Sequence, residues 1–223
     1  MLPIRIAPSI LSADRSNLQQ EVRLIEPYAD YIHIDIMDGK FVPPVTFRPE
    51  EIKAIHTKLP KDVHLMVEYP EKDGYIDSFI DAGAAIITIH TECKEDTHGL
   101  IRCIKKKGAK AAVTIRPKTP IAELEPYLDT ADMVLIMSVE PGYSGQAFMP
   151  AVLEKVRRIR KLKPELDIEI DGGINAVTIM DAVRAGANVI VAASAIFGRK
   201  DRIKAMQELR SAAKGALKNR RKR

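Results

Sequence analysis

Asp81-Ala-Gly83-Ala84 leads directly into Ala85-Ile-Ile-Thr-Ile-His90, and the same kind of join occurs twice more. Lys107-Gly108-Ala109 leads into Lys110-Ala-Ala-Val-Thr-Ile115, and Arg184-Ala-Gly186-Ala187 leads into Asn188-Val-Ile-Val-Ala192. In each case a helical pattern stops at a glycine, the residue that takes the left-handed backbone just past a helix, and a β-branched run begins at once. A helix feeding a buried strand three times over indicates βαβ units and a parallel sheet. Extended along the chain, the pattern predicts β1 near 4–8, β2 near 31–37, β3 near 62–67 and β4 near 85–90. It continues with β5 near 110–115, β6 near 132–138, β7 near 167–171 and β8 near 188–193. Helical periodicity fills 17–25, 75–82, 99–107, 151–163, 178–185 and 202–217. Eight strands alternating with helices in 223 residues fit a closed (β/α)8 barrel, the TIM-barrel architecture. An open doubly wound sheet is the alternative, but no strand-linked G-x-G-x-x-G or phosphate loop supports it.

The length suits a single barrel domain over 1–217, followed by a basic tail over 218–223 that reads as a flexible end. A chain of this size buries about 70% of its unfolded surface. With 5% aromatic residues and no tryptophan, that core must be aliphatic. The formal charge is +5, and Lys218, Arg220, Arg221, Lys222 and Arg223 account for all of it, so the body is charge-balanced. Such a run can touch RNA or an anionic membrane. Isolated at one end, it reads as a solvated terminus, and neither a specific nucleic acid nor a membrane is expected as partner. Cys93 and Cys103 form no metal-ligand or redox motif and are too few for a disulfide scaffold, which points to a reduced, cytoplasmic protein. The start has no signal-peptide pattern, and no stretch approaches a membrane span.

The second predicted strand carries the chemistry. Tyr31-Ile-His-Ile-Asp-Ile-Met-Asp-Gly39 alternates with period two, placing His33, Asp35 and Met37 on one face and Ile32, Ile34 and Ile36 on the other. Same-side Cβ atoms lie about 6.5–7 Å apart, close enough for an imidazole and a carboxylate to serve one metal ion. The third strand repeats the step with His64 and Met66. If the strands share one rim, Ser9, Met137 on β6 and Asp171 on β7 converge there too. His33, Asp35, His64 and Asp171 form a donor set for one divalent ion, with Zn²⁺ first and Fe²⁺, Mn²⁺ or Co²⁺ as alternatives. Such an ion would act as a Lewis acid on an α-hydroxyketone. Asp35 and Asp171, on different sides of the barrel, would flank its planar enediolate as base and acid. Met37, Met66 and Met137 would give that plane a soft, water-excluding surround.

Two connections exceed ordinary length, 39–49 after β2 and 139–149 after β6, and both leave the rim where such barrels hold their active sites. At the same rim, Gly142-Tyr143-Ser144-Gly145, Asp171-Gly172-Gly173 and Ala193-Ser194 can turn backbone N–H groups toward a phosphate.

Taken in order, several segments resemble the ribulose-phosphate 3-epimerase family between about Ile4 and Gly198. They are Pro8-Ser-Ile-Leu-Ser-Ala-Asp14, His33-Ile-Asp-Ile-Met-Asp-Gly-Lys-Phe-Val-Pro43 and Asp62-Val-His-Leu-Met-Val67. Pro141-Gly-Tyr-Ser-Gly-Gln146, Ile168-Glu-Ile-Asp-Gly-Gly-Ile174 and Ser194-Ala-Ile-Phe197 complete the set. The resemblance implies a ribulose-phosphate-binding barrel and an isomerase that interconverts D-ribulose 5-phosphate and D-xylulose 5-phosphate in the pentose phosphate pathway. It also implies one divalent metal on His33, Asp35, His64 and Asp171, with Asp35 as proton acceptor and Asp171 as donor. Ser9 and His64 would contact substrate, and the chain would assemble as a dimer or hexamer.

The chain departs from the family pattern at the phosphate end. Gly-Phe-Gly-Gly becomes Gly142-Tyr143-Ser144-Gly145, Gly-Ser becomes Ala193-Ser194, and Asn-Pro-Gly-Thr after β5 becomes Arg116-Pro-Lys-Thr119. Arg116 and Lys118 would then add positive charge near the anion pocket. The similar epimerase of D-allulose 6-phosphate is therefore the rival reading, and a phosphate-binding barrel without turnover is the rival of another class.

Overall fold

The computed structural model describes residues 2–220, with side chains as far as Lys218. Eight strands make one sheet: β1 (Arg5–Pro8), β2 (Ile32–Met37), β3 (Lys61–Met66), β4 (Ala84–His90), β5 (Lys110–Ile115), β6 (Met133–Met137), β7 (Asp167–Asp171) and β8 (Val189–Ala192). All neighbours are parallel, in the order β1-β8-β7-β6-β5-β4-β3-β2. A single parallel bridge between Ser9 and His33 joins the two ends, so the barrel closes at its upper rim. The helices are α1 (Leu18–Ile25), α2 (Pro49–Lys53), α3 (Tyr75–Asp81), α4 (Thr97–Lys106), α5 (Leu153–Leu162), α6 (Thr178–Ala185), α7 (Ser194–Phe197) and α8 (Arg202–Arg220).

The recurring join behaves as expected. Gly83, Gly108 and Gly186 have φ of 91°, 89° and 125°, which turns each helix back into the next strand. The fourth helix begins at Thr97 rather than Gly99, because the Asp96 carboxylate accepts from the N–H groups of His98 and Gly99 and caps that turn. Between β5 and β6 the described chain has only two 3₁₀ turns, Ile121–Glu123 and Glu125–Tyr127. The helical pattern expected to stop at 217 continues to Arg220, so part of the 218–223 tail is helix and 221–223 lie outside the described residues.

Two layers of packing follow from the period-two strands. Ile32, Ile34 and Ile36 face outward into the main core, which also takes in helix stripes such as Leu153, Val156 and Ile159 of α5. Burying each of these side chains is worth about 1.5–3 kcal/mol. Inside the barrel, a lower apolar layer holds Ala7, Tyr31, Ile86, Ala112, Met133 and Val189. Above it lies a polar layer. His33 on β2 reaches Asp62 on β3 at 2.8 Å and Glu169 on β7 at 3.5 Å, although β2 and β7 are not sheet neighbours. Only side chains pointing into a closed barrel can meet in this way. α8 closes the outer ring, with Arg202 forked onto Glu21 of α1 at 2.9 and 3.1 Å.

Candidate active site

Strand register brings the site together. β2 and β3 pair with Asp35 opposite His64 and Met37 opposite Met66, while β6 and β7 pair Met137 with Asp171. His33 Nε2 lies 3.4 Å and His64 Nδ1 3.2 Å from the same oxygen, Asp35 Oδ1. One donor atom from each of His33, Asp35, His64 and Asp171 falls within 4.8 Å of all the others. The other Asp35 oxygen accepts from Ser9 Oγ at 2.6 Å, and Thr46 Oγ1 donates to the Asp35 carbonyl at 2.6 Å, tying the loop after β2 to its strand.

The donors suit a cation. His33 Nε2 is fully buried without a hydrogen-bond partner, and its Nδ1 is held by Asp62 Oδ2 at 2.8 Å. A carboxylate on one imidazole nitrogen aims the lone pair of the other, the usual arrangement behind a metal-bound histidine. In the protein alone, burial works against charge on His33, yet the Asp35 and Asp62 carboxylates beside it hold its pKa well above the usual value. Burial opposes ionisation of Asp35 as well, but His33 and His64 pull its pKa far below the ordinary range. Asp171, partly exposed at the rim, moves the other way. Burial and the nearby Asp35 charge raise it to about 6. The site therefore holds one firmly ionised carboxylate and one whose proton affinity is raised to about 6.

A cleft opens directly above. Ser9, Asp35 and Asp171 form its floor with Met37, Met66 and Met137. Gly142, Tyr143, Ser144 and Gly145 of the loop after β6, and Gly172, Gly173, Ala193 and Ser194 after β7 and β8, complete its lining. His33 and His64 sit fully buried behind the floor instead of lining the cleft. Tyr143 stands 60% exposed at the mouth. Gly173 lies so close to the loop after β6 that a Cβ there would meet Phe148 N at 2.5 Å.

Neither Arg116 nor Lys118 lines the cleft. The Arg116 guanidinium lies over the Phe41 ring at 4.3 Å and donates to the Phe41 carbonyl at 2.9 Å, while Lys118 approaches Glu140 at 3.8 Å.

The sequence reading passed over Asp62, Glu169, His90, Glu92 and Gln146. Asp62 and Glu169 stand two residues before His64 and Asp171, so the alternation that found the ligands also marked these two as inward. Burial and the adjacent Asp62 push Glu169 well above the usual carboxylate range. Gln146 donates to the carbonyls of Glu140 and Tyr143, shaping the loop after β6. Burial drops His90 to about 4, so it is a neutral imidazole. Burial works against ionisation of Glu92, but its bonds to His90, Thr119 and the Arg116 N–H bring it down to about 2.

Residues 5–197 match the model of the ribulose-phosphate 3-epimerase family. The chain belongs to that family. It is 45% identical over 215 residues to the ribulose-phosphate 3-epimerase of Bacillus subtilis (strain 168), covering 93% of this chain and 98% of that protein. It is 44% identical over 219 residues to the cytoplasmic isoform of rice, Oryza sativa subsp. japonica, covering 95% of each. The chloroplastic ribulose-5-phosphate-3-epimerase of Arabidopsis thaliana is 40% identical over 222 residues, covering 96% of this chain and 78% of that one. Among solved structures, KGPDC from Streptococcus mutans in complex with D-R5P superposes with a TM-score of 0.74 at 11% identity, covering 97% of this chain and 99% of that one. The 3-hexulose-6-phosphate synthase of Salmonella typhimurium gives 0.71 at 16% identity, covering 96% and 100%. Those two likenesses establish the barrel. As a ribulose-phosphate 3-epimerase family member the chain is an epimerase, an enzyme of the isomerase class. Among the described residues no helix is long and apolar enough to cross a membrane.

Proposed function

We propose that the chain interconverts D-ribulose 5-phosphate and D-xylulose 5-phosphate, a step of the pentose phosphate pathway, by two-base proton transfer at C3. One divalent ion would be held by His33, Asp35, His64 and Asp171. The observation that carries this reading is the pair Asp35 and Asp171, which share one cleft and have opposite proton affinities. Asp35, ionised and oriented by Ser9, takes the C3 proton from one face of the sugar. The planar enediolate left behind faces Met37, Met66 and Met137, which exclude water. Asp171 then gives its proton to C3 from the opposite face, and the two acids exchange roles in the reverse direction.

When bound, the ion supplies positive charge that polarises an adjacent carbonyl as a Lewis acid does. Zn²⁺ is the first choice for two imidazoles and two carboxylates, with Fe²⁺, Mn²⁺ and Co²⁺ served by the same donors. The phosphate rests, in this reading, against the backbone N–H groups of Gly172, Gly173 and Ser194, with Gly142, Tyr143, Ser144 and Gly145 and the Ala193 methyl also lining its end of the cleft. We further propose a cytoplasmic homo-oligomer, a dimer or hexamer.

The test is turnover of purified, zinc-loaded protein with each sugar phosphate in D₂O. Faster kcat/KM on the pentulose, with deuterium appearing at C3, is the expected result. A preference for D-allulose 6-phosphate would replace the substrate, and absence of C3 deuterium would remove the mechanism.

A further inference from the structure

We infer that His90 and Glu92 are positioning residues that fix the tautomer of His64 and so aim its Nδ1 lone pair into the metal site. The inference rests on the metal reading above and concerns side chains that touch neither ion nor substrate.

His90 ends β4, fully buried, and its Nε2 lies 2.9 Å from His64 Nε2. One of these two nitrogens must carry the hydrogen between them. The choice is made at the other end of His90, where Nδ1 faces Glu92 Oε2 at 3.2 Å. A carboxylate only accepts. Glu92 is also held in place, because Oε1 accepts from the Arg116 N–H at 2.7 Å and from the Thr119 hydroxyl at 2.5 Å. The single N–H of a neutral His90 is therefore on Nδ1, and its Nε2 is an acceptor. His64 Nε2 must then be the donor. A neutral His64 with its hydrogen there has a lone pair on Nδ1, the nitrogen 3.2 Å from Asp35 Oδ1.

The two histidines of the site thus use opposite nitrogens, and each has its far side held. His33 leans directly on Asp62, whereas His64 is held through His90 by a carboxylate at the rim. Phe41 covers the His90 ring at 4.7 Å, and Arg116 lies over Phe41, so loops after β2 and β5 cover the buried imidazole.

Glu92→Gln tests the assignment without changing shape. The two donors on Oε1 would keep the amide oxygen at that position and turn the amide NH₂ toward His90 Nδ1. His90 Nδ1 would then have to accept, its hydrogen would move to Nε2, and His64 would be driven to the tautomer whose Nδ1 is blocked. With ¹⁵N-histidine, long-range ¹H–¹⁵N spectra of the wild type should report His90 as Nδ1–H with and without metal, and His64 as Nε2–H with zinc bound. E92Q should show the reversed His90 tautomer, hold zinc about 10–100-fold more weakly in competition with a chromophoric chelator, and keep its circular dichroism. A folded E92Q that holds zinc as tightly as wild type overturns the inference, as does a wild-type His90 protonated on Nε2. Should E92Q fail to fold, His90→Leu removes the acceptor outright. The same weakening is expected, and undiminished zinc affinity in folded H90L overturns the relay. A wild type that takes up no divalent ion would sink the metal reading and, with it, the role assigned here, whereas a reversed His90 tautomer in a zinc-binding wild type sinks the relay alone.

Discussion

Replacing Asp171 by asparagine should make the metal-free protein more stable while stopping epimerisation. Asp171 is raised from 3.8 to about 6 by burial and by the Asp35 charge. Between those two values the native state binds more protons than the unfolded chain, so stability falls as pH rises through that window. Above it the full cost is present. The gap of about two units corresponds to a ceiling of roughly 3 kcal/mol at 1.36 kcal/mol per unit. Asparagine mimics the protonated acid and never ionises, so Asp171→Asn should recover up to that amount. In a chain of this size the gain corresponds to a rise in Tm of roughly 6–12 °C. The gain should be absent near pH 4, grow toward pH 6 and stay level above it. Thermal and urea unfolding of both proteins in the presence of a chelator, from pH 4 to 8, measures it directly. The same variant should lose epimerisation by about 10²–10⁴-fold, the usual contribution of a positioned acid or base. A D171N protein no more stable than wild type at pH 7, or equally stabilised at every pH, would refute the argument that this carboxylate is held in a strained charge state for catalysis.

In D₂O, Asp35→Asn and Asp171→Asn should each keep C3 exchange for one epimer only, and for opposite epimers; exchange of both epimers by either variant would rule out one acid on each face. Gly173→Ala should destabilise more than Gly145→Ala. Both positions have positive φ, 62° and 79°, costing about 1–2 kcal/mol for alanine. Only at Gly173 would the Cβ also strike Phe148 backbone atoms at 2.5 and 2.7 Å, adding about 1–3 kcal/mol of overpacking. Equal urea midpoints for the two variants would contradict that contact. Chelation should abolish turnover and lower Tm, and zinc at about 100 times its Kd should restore about 2.7 kcal/mol of stability; a Tm indifferent to the ion would argue against binding at a preformed site.

Local signals carried much of the site. Alternation on β2 and β3 put His33, Asp35, His64 and two methionines on one face, because strand side chains repeat every two residues whatever surrounds them. The same rule pointed to Asp62 and Glu169, yet charged residues near the start of a strand ordinarily read as solvated ends. Their burial follows from barrel closure, which turns one face of every strand inward and leaves no helix to cover it. Arg116 shows the opposite limit. Its charge was legible, but its direction depended on Phe41, a residue 75 positions away in the chain.

The sequence by itself determined the parallel barrel, the inward faces of its strands and the identity of the four converging donors, because glycine stops and two-residue periodicity act over only a few residues. Which nitrogen of each histidine faces the site, the opposite shifts in proton affinity of Asp35 and Asp171, and which basic side chains stay out of the cleft lining were decided only by the tertiary structure. Hydrogen-bond direction and charge depend on groups brought within 3–4 Å from distant parts of the chain, and periodicity carries no record of those distances.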